Sequence, residues 1–313
     1  MPKDLVANRY VDMWAVPGVH PTNSDFLQSY KMADSSQFTR HMDVVGTVSE
    51  KEDGKWEKKQ MLIGIRTDIW KPDCKEVKET LNCLHEKRKT ELKKEIKKSG
   101  RLNAKQKSQL QQQLETDKVM QMQCDDIEQR RLVIKVFKTS GKRLNWAGTI
   151  EQMTTEEIQN SISSRRILLS FAVVLPRHEY IIRLGQNYRP FSFTKIFSFS
   201  YYYKNRMWPV CLRQKLGSIV PDYEILVDEE KIGLINGVVF AMGSDSYVEL
   251  YDHELCNDGK FNDLLTLFAA SIGYHKSMRK STKRRVEACK SGQWQKCLLE
   301  DEELSIYKNG RVA

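Results

Sequence analysis

Apolar and polar residues alternate with a period of two along much of the chain, and each such stretch predicts a strand with one buried face. Residues 41–48 and 55–66 form two of them around Glu52-Asp53-Gly54, and Asp-Gly between β-rich runs is a hairpin signal. Met61, Ile63 and Ile65 fall on one face of the second, Leu62 and Gly64 on the other. Residues 132–138 alternate again and end at the turn Thr139-Ser-Gly-Lys-Arg143. The run 167–175 is apolar throughout and stops at Pro176, which suits a strand buried on both faces. After a short strand at 180–184, Phe191, Phe193, Phe197, Phe199, Tyr201 and Tyr203 share parity, which predicts a strand with one aromatic core face. Residues 223–251 read as a meander of short strands broken at Asp228-Glu-Glu-Lys231, Asn236-Gly237 and Gly243-Ser-Asp-Ser246.

Three segments leave this period. Residues 153–162 open on Thr154-Thr-Glu-Glu157, the spacing of a capping box, and predict a short helix. From Lys75, Val77, Leu81, Leu84, Leu92 and Ile96 recur at helical spacing among charged residues. Ser99-Gly100 interrupts that stripe, and Leu110, Leu114, Met120 and Ile127 continue it, so 75–130 reads as an inserted helical hairpin. Residues 261–274 contain no Lys, Arg or Glu, and a helix apolar nearly all round belongs in a core, with Leu267 and Phe268 buried. The expected fold class is therefore α+β: an antiparallel β barrel or sandwich around a buried C-terminal hydrophobic helix, with an inserted basic helical hairpin. Its parts are an N-terminal arm at 1–38, a β-rich core at 39–74 and 131–275, the hairpin at 75–130, and a basic segment and tail at 276–313. The arm carries Pro17, Gly18 and Pro21 and no clean period, and reads as mobile or as a strap. The acidic patch 300–303 precedes a tail expected to fray.

Composition adds a partner charge. Fifty-one Lys and Arg against forty-one Asp and Glu leave +10 at pH 7, a balance that favours a polyanion, nucleic acid or an anionic membrane surface. The excess is local. Lys276, Arg279, Lys280, Lys283, Arg284 and Arg285 place six cations in ten residues with no acid between them. Three readings stand: a solvated helix end, a nuclear-import signal, or direct contact with phosphates. A secondary basic surface is formed by Lys87, Arg88, Lys93, Lys94, Lys97 and Lys98 on the hairpin, whose span 75–107 holds twelve Lys and Arg against five Glu. The hairpin's role would be contact with a protein partner through its apolar stripe or with an anion through these lysines.

The N-terminus has no apolar signal region, and no apolar run reaches the length of a membrane span. Seven widely spaced cysteines at 74, 83, 124, 211, 256, 289 and 297 form no CxxC pair and meet no histidine at ligand spacing. They point to a reducing, intracellular home in nucleus or cytoplasm, with the thiols as small core residues and no metal.

The meander Tyr223-Glu-Ile-Leu-Val-Asp-Glu-Glu-Lys-Ile-Gly-Leu-Ile235 followed by the apolar helix 261–274 resembles the C-terminal end of the tubby-like barrel superfamily, which includes the LURP-one-related proteins and the phospholipid scramblases. The likeness covers about fifty residues and implies an antiparallel barrel threaded by a single apolar helix, and a lipid-headgroup binder or adaptor rather than an enzyme. It assigns no headgroup-binding residue.

Catalytic motifs are absent from the sequence: there is no nucleophile elbow, Walker A loop, dinucleotide fingerprint or zincin helix. Asp222 with Glu229 and Lys231 has the composition of a metal-dependent phosphodiesterase site, but Glu229 and Lys231 sit in a turn. His178 stands alone after Pro176, and His253-Glu254 near Cys256 reads as a polar strand end. The expectation is a non-catalytic binding or adaptor module without a cofactor, the alternative being a metal-dependent nuclease or a subunit of one.

Overall fold

A computed structural model of the chain describes residues 5–14, 38, 41–52, 55–56, 61–67, 69–70, 131–140, 143–188, 194–217, 221–238, 244–292, 303–304 and 306, with helical positions scattered through 82–94 and 108–114. Period-two patterning becomes a closed sheet. Strands β1 (Leu5–Met13), β2 (Met42–Glu52), β4 (Met61–Arg66), β5 (Val133–Ser140), β6 (Arg143–Gln152), β7 (Ser170–Val174), β8 (Ile182–Tyr188), β9 (Lys195–Tyr203), β10 (Arg206–Gln214), β11 (Tyr223–Val227), β12 (Glu230–Gly237) and β13 (Ser246–Tyr251) each pair antiparallel with their neighbours. β1 lies between β13 and β2 and closes the ring, which removes both sheet edges. The two-residue β3 (Lys55–Trp56) is a short extension beside β2.

The barrel interior is filled by α2 (Gly259–Ser271), whose N-terminus is capped by the Asp258 side chain. Leu264, Leu265, Leu267, Phe268, Ala269 and Ala270 are all buried. Leu267 and Phe268 are fully so, as the apolar pattern predicts. Phe268 packs edge-on against Phe197 and Tyr223, and Phe261 against Tyr201, so the aromatic parity of β9 becomes the lining of the helix's socket. α2 lies closest to β6, where Gly148 has no side chain to hold it off: a Cβ there would stand 2.9 Å from Leu267 Cδ1 and 2.8 Å from Leu175 Cδ2. The helix carries a buried acid, Asp263, paired with Arg9 of β1 (2.9 Å) and Lys138 of β5 (2.8 Å). Arg9 also reaches Glu50 of β2 at 2.6 Å, so one guanidinium ties the closing strand to the core helix and to its neighbour.

Two helices cover one end of the barrel. α1 (Thr154–Ser164) crosses from β6 to β7, and α3 (His275–Lys290) follows α2 after a 3-10 turn and packs on α1. A second, smaller apolar layer lies outside the barrel, where Trp14, Met42, Val44, Leu62, Phe137 and Leu144 cluster. It explains why both faces of β4 are buried.

The expected fold class is corrected here. The architecture is a closed twelve-stranded antiparallel barrel with its helix near the C-terminus, and not a sandwich or a barrel with an inserted basic helical hairpin. β4 and β5 are direct neighbours in the sheet, and Arg131 N donates to Ile69 O at 3.0 Å, so the body closes across the point where 75–130 leaves and returns. Most of that segment lies outside the described residues. Residues 5–13, read from sequence within a mobile arm or strap, are the stave that closes the barrel.

Candidate functional site

The basic run 276–285 is folded into α3, and its cations divide by face. His275, Met278, Thr282 and Val286 are buried toward the barrel and α1. Lys276, Lys280, Lys283 and Arg284 are exposed at spacings of four, three and one, which places them on the opposite side of the helix. Lys283 lies 3.8 Å from Glu287. The other two cations turn inward. Arg279 donates through Nη1 to Ile167 O (2.9 Å) and through Nη2 to Gln186 Oε1, and Arg285 is half-buried near Glu157. Of the secondary basic surface, Lys93 and Lys94 are helical and exposed; Lys87, Arg88, Lys97 and Lys98 lie outside the described residues.

Arg279 brings the run to the mouth of the barrel above α2. Its Nε is buried and has no hydrogen-bond partner, and the same is true of Gln186 Nε2, whose Oε1 is taken by Leu169 N and Arg279. Lys195, the first residue of β9, faces Tyr188 across the β8–β9 ladder, and the Arg166 guanidinium lies 5.0 Å above the Tyr188 ring. Burial and then the neighbouring Arg279 push the Lys195 amine below the usual lysine range. Burial, Arg279 and Lys195 together hold the His275 imidazole well below the ordinary histidine range, so it is neutral at pH 7. It is packed among Phe171, Phe197 and Phe268 with Nε2 at 3.1 Å from Ser271 Oγ. Among the described residues no carboxylate contributes to the field at either Lys195 or His275. Orphaned buried donors beside two unneutralised cations fit an oxyanion in charge and in hydrogen-bond sense.

Behind this mouth sits one buried acid. Glu157 of α1 accepts from Gln152 Nε2 (2.8 Å), Thr282 Oγ1 (2.7 Å) and Ser170 N (3.2 Å), which joins α1, α3 and the barrel wall. Burial raises its carboxyl to about 7, against these hydrogen bonds and the field of Arg285.

Other candidates separate in space or are already satisfied. Asp222 accepts from Gly237 N at 2.9 Å at one end of β11, whereas Glu229 lies in the turn at the other end and Lys231 pairs with Glu224 at 3.5 Å. They do not share a metal. Among the described residues no group of three His, Cys, Asp or Glu is gathered for one. His253 Nδ1 accepts from Leu255 N while Cys256 Sγ lies against Ile232 O, so the two form no nucleophile–base pair. His178 stacks on Tyr201 at 5.0 Å, and burial and Lys260 hold it below the usual range. A cavity of about 550 Å³ on the outer face of β8–β11 is lined by Arg183 and Arg213, but Glu156 and Glu224 already neutralise them at 3.2 and 2.8 Å.

Sequence reasoning located Arg279 but missed Lys195 and Gln186, which are single polar residues in strands and gain meaning only when the barrel closes beneath α3. Comparison with protein-family models, curated proteins and solved structures returns no match. No helix among the described residues is long and apolar enough to cross a membrane.

Proposed function

We propose that the protein is a non-catalytic binding module that engages a phosphate-bearing polyanion, either an anionic lipid headgroup or a nucleic acid, at the α3 end of the barrel. One observation carries this reading: among the described residues, the buried Arg279 Nε and Gln186 Nε2 lack partners beside Lys195, and no carboxylate opposes the field there. The exposed Lys276, Lys280, Lys283 and Arg284 would extend the contact along the polyanion and add a salt-dependent share of affinity through counterion release. The run is helical and turns two of its six cations inward. That favours phosphate contact over an extended import signal. Placement inside the cell, in nucleus or cytoplasm, belongs to the same proposal.

The test compares single-stranded RNA with vesicles containing phosphatidylserine, each at two salt concentrations. Lys280→Gln with Lys283→Gln and Arg284→Gln should lower the salt slope by roughly one for each phosphate that no longer meets a cation. Lys195→Gln should weaken binding without destabilising the fold, because it relieves a like-charge pair. Unchanged affinity for both probes in both variants would sink the proposal. Binding of only one probe identifies the source of the phosphate.

A further inference from the structure

The barrel mouth beneath α3 holds aromatic side chains as well as cations. Tyr188 ends β8 on the inward face it shares with Leu184 and Gln186, and it is partly exposed there. Lys195 stands opposite it in the ladder with β9. The Arg166 guanidinium, 5.0 Å from the centre of the Tyr188 ring, belongs to an exposed residue that pairs with no acid among the described residues. Tyr223, buried at the start of β11, ties these groups to α3. Burial raises its hydroxyl above the usual tyrosine range, while the field of Arg279 draws it down and that of Tyr188 adds to the rise. Ring and guanidinium therefore flank the same place in the mouth.

α3 carries its cations past that place. Lys276 and Lys283 lie three residues before Arg279 and four after it, which sets one of them a turn to either side of it on adjoining surface. Both are exposed, whereas Arg279 sits at the edge between the exposed and buried faces. From Lys276 to Lys283 the row runs about 10 Å along the helix.

The row, the buried donors and the planar pair make different demands on a ligand. A line of cations is met by phosphates repeated along a chain. The Arg279 and Gln186 donors take one phosphate oxygen that can turn into the mouth. Tyr188 with Arg166 is the kind of surface on which an unstacked base settles, since bases stack on both aromatic rings and guanidinium planes. A duplex keeps its bases paired and its backbone stiff over this length, and a phosphatidylserine headgroup brings phosphate without a base.

We propose that the ligand of this mouth is single-stranded nucleic acid, with successive phosphates along Lys276, Arg279 and Lys283 and one base stacked on Tyr188 and Arg166. The proposal rests on the phosphate-binding reading of the mouth and narrows it to one polyanion. Lys195 and Arg279 act on the phosphate, and Tyr188 acts on the base.

The probe is a fluorescein-labelled single-stranded RNA of about twelve nucleotides, within the usual range of site sizes. The readout is anisotropy with the full-length chain, against a strand of the same length made of abasic nucleotides, the matching duplex, and vesicles containing phosphatidylserine. The base-bearing strand should bind about fivefold or more tightly than the abasic one. That comparison uses one folded protein and so carries no folding defect. Tyr188→Leu should weaken the base-bearing strand by a similar factor, leave the abasic strand alone and keep the salt slope, because no charge is lost. Tyr188→Phe should restore binding. Lys195→Gln should instead weaken both strands and lower the salt slope by about one. Equal binding of the two strands, or of single strand and duplex, overturns the proposal, and the phosphate reading survives if Lys195→Gln still weakens them. Binding to the vesicles with none to the strand overturns it in favour of a membrane surface, to which the exposed Ile162 and Leu216 would add apolar contact. Binding of none of the probes overturns both readings.

Discussion

Glu157→Gln isolates the one buried carboxyl that joins α1, α3 and the barrel wall. In the folded chain its carboxyl is raised from an ordinary value near 4.5 to about 7, with burial as the main cause. The folded state therefore holds a proton that the unfolded chain has released between those two values. Stability from this group is greatest below about pH 4.5, falls as pH rises through the window, and is flat above about 7. A displacement from 4.5 to about 7 corresponds to about 3 kcal/mol between the two plateaus. Glutamine cannot ionise, so the variant lacks this slope. It does lose hydrogen bonding, because its amide nitrogen must face either Gln152 Nε2 or Ser170 N, both donors. That offset is about 1 kcal/mol and independent of pH. The diagnostic quantity is the difference in unfolding free energy between variant and parent, measured by urea titration at intervals from about pH 4 to 8. The variant should be the less stable at about pH 4 and gain about 3 kcal/mol on the parent by about pH 8. Parallel curves across the window would refute a buried, proton-binding Glu157.

Three further perturbations test the barrel itself. Leu267→Ala opens a cavity at the centre of α2 and should cost about 2–5 kcal/mol by urea unfolding. Asp263→Asn leaves the buried Arg9 with reduced compensation and should cost on the order of 3 kcal/mol, with early hydrogen exchange in β1 as its mark. Gly148→Ala pushes a methyl into Leu267 and Leu175 and should cost about 1–3 kcal/mol, and Leu267→Ala in the same chain should recover part of that loss.

What was legible in the sequence was legible because a periodic pattern and a continuous surface coincided. Phe197, Phe199 and Tyr201 share parity and all join the core around α2, and Leu267 and Phe268 had no polar face on which to turn outward. β1 was hidden because its inward residues are Arg9, Val11 and Met13, so a charge interrupts the apolar face. Arg9 is inside because Asp263, 254 residues away, and Thr266 and Glu50 take its donors. The capping box at Thr154 and Glu157 was a local signal overridden by tertiary contacts. Glu157 points into the protein to meet Thr282, and the cap falls to Glu303, the last of four consecutive acids ahead of the tail expected to fray. Lys195 and Gln186 carry no pattern at all, and their role comes from where the ladder of β8 and β9 ends.

The two ends of the barrel handle buried charge in different ways, which is the ground for proposing a function at one of them. At the end where α2 begins, Asp263 is matched by Arg9 and Lys138, and Tyr201 donates to Asp258 at 2.6 Å. These charges have their complements, although Asn262 Oδ1 and His178 Nε2 beside them are buried without hydrogen-bond partners among the described residues. At the α3 end, Arg279 is held by a carbonyl and an amide oxygen rather than by a carboxylate, and one of its donors and one of Gln186's are left over. Replacing Arg279 by an apolar residue would lose the anchor of α3, while an added carboxylate would neutralise the mouth. The mouth as it stands keeps the helix in place and leaves positive charge for something outside the chain. Under the proposed function, an oxyanion of the ligand would meet the donors left over at the α3 end.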